Sequence, residues 1–110
     1  MRPEPRWDAV LVHPGDDVAT ALRVIPAGTT ARVQVGSGTR QCRVSDEIPF
    51  GHKFAVRELA AGQPVRKYGE VIGGATARVP AGALVHVHNL ASRRARARPG
   101  ENPGAAGASR

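Results

Sequence analysis

One device recurs along this 110-residue chain and governs what it can fold into. Ile25-Pro26-Ala27-Gly28 precedes Thr29-Thr30-Ala31-Arg32-Val33-Gln34-Val35, and Ile48-Pro49-Phe50-Gly51 precedes His52-Lys53-Phe54-Ala55-Val56. Leu59-Ala60-Ala61-Gly62 precedes Gln63-Pro64-Val65-Arg66-Lys67-Tyr68-Gly69, and Val79-Pro80-Ala81-Gly82 precedes Ala83-Leu84-Val85-His86-Val87-His88-Asn89. Each copy is an apolar residue, a turn with Gly in fourth place, and then alternating or β-branched sequence. Pro presets φ at the start of such a turn, and Gly tolerates the positive φ that ends it. Ala31-Arg32-Val33-Gln34-Val35 alternates as a half-buried strand does, and Val85-His86-Val87-His88 reads the same way. The turn glycines are 23, 11 and 20 residues apart, so the device is not a solenoid repeat. Short strands punctuated by Gly/Pro turns predict a small, mostly β domain.

One segment departs from that pattern. Asp16-Asp17-Val18-Ala19-Thr20-Ala21-Leu22 has an acidic start and apolar residues at helical spacing. It predicts a short helix capped by Asp16 or Asp17, with Val18, Leu22 and Ile25 packing on the sheet. A second helical turn is expected around 55–61, where Phe54, Val56 and Leu59 are apolar. Val10-Leu11-Val12 reads as the first strand, ended by His13. The length suits one domain with a modest core. Residues 1–7 carry Pro3 and Pro5 without periodicity. Residues 91–110 lack any large apolar side chain, so both ends are expected to be disordered around a domain at 8–90.

Charge and cysteine content exclude several classes. The net charge of +7 invites a nucleic-acid partner, but the last twenty residues hold five Arg against Glu101. Arg93-Arg94-Ala95-Arg96-Ala97-Arg98 has no interleaved aromatics, so nucleic-acid binding is not expected as the main function. The single Cys42 closes no intrachain disulfide, builds no Cys-rich zinc site, and is expected to be a packing residue. No apolar run reaches the roughly 18–20 residues of a membrane helix, and no signal-peptide core is evident. A cytoplasmic chain without a membrane partner is expected.

The residues that could do chemistry are few. The chain has four histidines and only two lysines. On a strand, His86 and His88 would share one face about 6.6 Å apart and could reach one metal ion or polyanion; two solvated histidines are the alternative. Gly51-His52-Lys53 follows a tight turn, where a histidine beside a lysine could hold an anion and move a proton. Lys67-Tyr68-Gly69-Glu70 contains the other lysine. In a chain so rich in Arg, two lysines beside candidate site residues are notable, because a buried lysine shifts its pKa readily and Arg does not. Local context alone makes His13 structural.

Taken in order, His13-Pro14-Gly15-Asp16-Asp17-Val18-Ala19, Ile48-Pro49-Phe50-Gly51-His52-Lys53-Phe54-Ala55, Lys67-Tyr68-Gly69-Glu70-Val71-Ile72-Gly73 and His86-Val87-His88-Asn89 resemble a known family. They are similar to the SAF-type N-terminal domain of altronate and galactarate dehydratases, and to the small subunit of sulfolactate sulfo-lyase. The resemblance spans about residues 10–90. It implies a β-clip fold, a small, strongly bent β domain with long hairpins. It also implies β-elimination on a hydroxy acid: a hydro-lyase expelling water, or a sulfo-lyase expelling sulfite. A divalent metal, Fe2+ or Mn2+, bound largely with a large dehydratase-type partner subunit, is implied as well. On that resemblance His52 and Lys53 are the expected catalytic residues. Lys67, Tyr68, His13 and Asn89 are expected to bind substrate, His86 and His88 to contact metal, and Gly51, Gly69 and Gly73 to shape the turns. A non-catalytic module of the same fold, binding a sugar acid or docking an enzyme, is the alternative. Asp17 stands where the family's first motif is expected to carry Asn.

Overall fold

Thr30-Ala31-Arg32-Val33 alternates in burial as its sequence predicts, with Ala31 and Val33 inside and Thr30 and Arg32 in solvent. The computed structural model describes residues 7–92, and this strand is one of nine. They are β1 (Ala9–Leu11), β2 (Val18–Ala21), β3 (Thr30–Val35), β4 (Gly38–Arg43), β5 (Lys53–Ala55), β6 (Pro64–Lys67), β7 (Glu70–Ala75), β8 (Leu84–Val85) and β9 (Leu90–Ser92). Six form a sheet in the order β4-β3-β1-β2-β5-β8, and three form a second sheet in the order β6-β7-β9. The expected tails fall outside the described residues, except that Trp7 is described and Ala91 and Ser92 belong to β9.

All the strands but β1 and β9 are segments of two long, bent hairpins. In the first, β3 pairs β4 from Val35↔Gly38 down to Thr30↔Arg43. The same pairing continues through Thr29 and Val44, the Ile25↔Ile48 bridge, and β2 on β5 from Thr20↔Lys53 to Val18↔Ala55. The second hairpin starts from that same β5. Lys53 and Phe54 pair with Val85 and Leu84, Leu59 bridges Val79, and β6 pairs β7 out to Lys67↔Glu70. The first hairpin bends so far that its halves flank β1, which runs parallel to β3 and antiparallel to β2.

The four recurring turns are where the arms bend, two on each hairpin. The N–H groups of Thr29, His52, Gln63 and Ala83 donate to the carbonyls of Pro26, Pro49, Ala60 and Pro80 at 3.2, 3.0, 3.0 and 3.1 Å. Gly28, Gly51, Gly62 and Gly82 have φ of 84, 82, 83 and 90°. Positive φ at the third of four turn residues defines a type II turn, and it explains the glycine. Each of these glycines then donates its N–H across the hairpin, to Val44, Ala21, Ala75 and Ala55 respectively. The bend thus keeps its backbone groups satisfied.

Two hydrophobic clusters result, and the β2–β5 pair is the wall between them. Ala19 and Phe54 face one cluster with Leu11, Ile25, Val33 and Ile48. Val18 and Ala55 face the other with Leu59, Val65, Val79 and Val85. A strand buried on both faces carries consecutive apolar residues, and that corrects the sequence-based expectation for 16–22. The Val18-Ala19 run mimics a helix, but pairing with β1 and β5 makes it a strand, and Leu22 is exposed. The helical turn expected at 55–61 is likewise the end of β5, the Leu59 bridge and a type II turn. No described residue is helical.

Gly82 lies where the hairpins cross. A Cβ there would stand 2.1 Å from the Arg43 carbonyl, whereas one on Gly62 meets nothing within 4 Å. Gly62→Ala is expected to cost only the left-handed backbone penalty, about 1–2 kcal/mol. Gly82→Ala adds an overlap that forces the crossing apart, for a total of at least ~3 kcal/mol. Urea denaturation of the two variants measures the difference; equal losses would reject the crossing as the reason.

Candidate functional site

Two consecutive aspartates position everything around the tip of the second hairpin. Asp16 is buried, and its carboxylate accepts the N–H groups of Tyr68 and Gly69, each at 2.8 Å, and that of His13 at 3.2 Å. Burial works to raise its pKa. The three N–H bonds, aided by the His13 charge, outweigh burial and hold the carboxyl below the usual range. Asp17 accepts the Arg66 N–H at 2.8 Å and pairs with the Arg57 guanidinium at 3.6 Å. Its backbone ties the same elements, donating to Arg66 and accepting from Val56. The negative charge that Asp17 introduces in place of the expected Asn is therefore met by Arg57. Neither aspartate caps a helix; local sequence carries no sign of partners 49 and 52 residues away.

The clamp folds the tip of the second hairpin back onto its root. Lys67 and Tyr68 stand at the tip, and Lys53 stands near the root on β5. Burial, and then the Lys67 charge, push the Lys53 ammonium below the ordinary lysine range, with Tyr68 acting in the opposite direction. The Lys67 Nζ lies 4.4 Å from the centre of the Tyr68 ring. The His13 ring lies over the same tip, since a Cβ on Gly69 would stand 3.1 Å from its Nε2. His13 is thus drawn to the tip, although local sequence alone made it structural. Tyr68 and Gly69 are the two tip residues, with φ of 57 and 79°. Gly51 belongs to one of the four bend turns, as expected of a turn-shaping glycine.

Gly73 does not shape a turn. It lies inside β7, where a Cβ would stand 2.2 Å from the Ala91 carbonyl, so its missing side chain admits β9.

The histidines divide differently from the strand expectation. β8 stops at Val85, and residues 86–89 turn into β9, so His86 and His88 do not share a strand face. Instead, the pairing of Lys53 with Val85 brings the flanking His52 and His86 together, with ring centroids 5.1 Å apart. The Asn89 side chain closes this turn. Its Oδ1 accepts the His86 N–H at 2.9 Å, and its Nδ2 donates to the Leu84 carbonyl at 2.8 Å. Asn89 therefore sets the position of His86. The 52–53 peptide joins the imidazole pair to the ammonium group.

Among the described residues, no three His, Cys, Asp or Glu side chains converge to hold a metal ion. The His52–His86 pair would supply at most half of a four-ligand set. Cys42 is buried as expected, and burial pushes its thiol pKa up, the mark of a packing residue. No helix among the described residues is long and apolar enough to cross a membrane.

A bent double-hairpin domain of short strands and type II turns agrees with the fold that the resemblance of the four motifs implies. The altronate/galactarate dehydratase SAF domain matches residues 7–93, so the chain belongs to that family. The relatives are named as a sulfo-lyase subunit and a dehydratase. Identity is 39% over 88 residues with (2R)-sulfolactate sulfo-lyase subunit alpha of Chromohalobacter salexigens, covering 76% of this chain and 94% of that subunit. It is 38% over 80 residues with altronate dehydratase of Escherichia coli, covering 73% of this chain and 15% of that enzyme. The chain thus spans nearly the whole of a subunit in one relative and a small part of the other.

Asp16→Asn is expected to lose about 2–3 kcal/mol at neutral pH, because the amide oxygen cannot replace two carboxylate oxygens serving three donors. Because the folded pKa of Asp16 is depressed, its contribution is complete above the unfolded aspartate pKa and drains as pH falls through the folded value. Urea denaturation from pH 7 down to pH 2 should show the wild-type advantage shrinking toward the acid end. An advantage that persists unchanged at low pH would reject the charge as its source.

Proposed function

We propose that this chain is the small subunit of a lyase that catalyses β-elimination from a hydroxy acid together with a large dehydratase-type subunit. The observation that carries this reading is the Lys67 ammonium held over the Tyr68 ring at the tip that Asp16 clamps, with the Lys53 ammonium within electrostatic reach. The Asp16 and Asp17 carboxylates beneath them are engaged by backbone N–H groups and Arg57, which leaves the ammonium pair to an outside anion. The 94% coverage of a sulfo-lyase subunit supports the two-chain arrangement.

Elimination removes a weakly acidic proton from the carbon beside the carboxylate. The C–H electron pair forms the C=C bond as the group on the next carbon departs, as water after protonation or as sulfite. The resulting enol tautomerises to a 2-oxo acid. Negative charge builds on the substrate carboxylate as the proton leaves, and a fixed cation there lowers the barrier. Lys53, with Lys67 within electrostatic reach, takes that role. His52 is the proton-transfer residue, with His86 packed against its ring. Tyr68 and His13 wall the anion site, Asn89 holds the His86 turn, and exposed His88 is free to meet substrate hydroxyls or the partner. A divalent metal, Fe2+ or Mn2+, would take most of its ligands from the large subunit and would help stabilise the developing carboxylate charge.

Co-expression with large dehydratase-type subunits, assayed on altronate, galactarate and sulfolactate, tests the reading. One of these should turn over, and His52→Ala should reduce kcat by at least ~100-fold with the complex still assembled. Lys53→Met should abolish turnover while raising the denaturation midpoint of the free chain, because it removes a desolvated charge. Lyase activity retained by both variants would reject the site. Failure of every co-expressed pair to act on any of the three acids would reject the function.

A further inference from the structure

Tyr68 occupies a backbone position that its side chain disfavours. It is the first of two residues in the tip between Lys67 and Glu70, and it has φ of 57°. Positive φ at both tip residues is the type I′ hairpin turn, which favours Asn-Gly. A non-glycine residue in the left-handed region is uncommon, and Asn, Asp and His tolerate it better than a bulky ring does. The conformation persists because it is held from below, where the Asp16 carboxylate accepts the N–H of both tip residues. The ring gains little from burial, being 53% exposed. What it does contact is Lys67, whose ammonium rests over its face.

We propose that Tyr68 is a positioning residue: its ring, locked in a left-handed tip by Asp16, is a platform that seats the Lys67 ammonium to receive the substrate's anionic group. The role rests on the anion site proposed above and extends it to a residue that acts through the lysine. The platform requires the ring and not the hydroxyl. It also requires the tip to retain backbone strain that Asn would relieve.

The full-length chain, its Tyr68→Phe variant and its Tyr68→Asn variant separate these points. Inorganic sulfate serves as the anion probe, followed by NMR at the Lys53 and Lys67 side chains, and urea denaturation is run on the same samples. Tyr68→Phe should bind sulfate within about twofold of wild type. Tyr68→Asn should unfold at a higher urea concentration than wild type yet bind sulfate at least ~5-fold more weakly. Equal sulfate affinity in wild type and Tyr68→Asn overturns the platform, and so does a loss in Tyr68→Phe as large as that in Tyr68→Asn. A lower urea midpoint for Tyr68→Asn overturns the retained strain. Should wild type itself ignore sulfate, the anion-site reading fails separately. The platform is then decided by the Lys67 side-chain protons, whose upfield ring-current shift supports it when present and overturns it when absent.

Discussion

The Asp16 carboxylate is the interaction on which the architecture of the site depends. A long hairpin bent at paired turns has no intrinsic reason to return its tip to its root. Here a buried anion under the tip presents oxygens to three backbone donors and removes that freedom. Desolvating a carboxylate is costly, and only dense hydrogen bonding makes it tolerable. Asp17 repeats the device one residue later, on β6 itself. Together they join the first loop, the β2 strand and the second hairpin into one rigid corner.

β5 is the complementary element. It belongs to both hairpins and separates the two hydrophobic clusters, with Phe54 facing one and Ala55 the other. His52 and Lys53 enter that strand directly from a type II turn. Their placement therefore depends on two independent pairings, with β2 and with β8. A site built this way exists only when both hairpins are formed.

Much of this was legible in the sequence, and the limits have physical causes. All four recurring glycines proved to have positive φ, because a type II turn is a local event whose signature is local. The alternation of β3 was readable for the same reason. The roles of Asp16 and Asp17 were hidden, since a carboxylate serving backbone N–H groups some fifty residues away looks like a helix cap in its own neighbourhood. The Val18-Ala19 run misled because burial on both faces erases the period of two. His86 and His88 misled in the opposite sense, with an alternating pattern that the chain abandons after Val85 to cross between sheets. Gly73 resembled a turn glycine, yet it answers to the approach of β9.

The two hairpin tips have opposite fates. Tyr68-Gly69 is gripped from below and overlaid by His13. Gly36-Ser37, at the end of the first hairpin, is exposed, and a side chain on Gly36 would meet nothing within 4 Å. The chain thus carries one tip that is held on several sides and another that is open ground. An affinity tag, a fluorophore or a few inserted residues at 36–37 would enter a loop that neither hydrophobic cluster nor the lysine group touches. That tip is the natural handle for immobilising or labelling the domain without touching its chemistry.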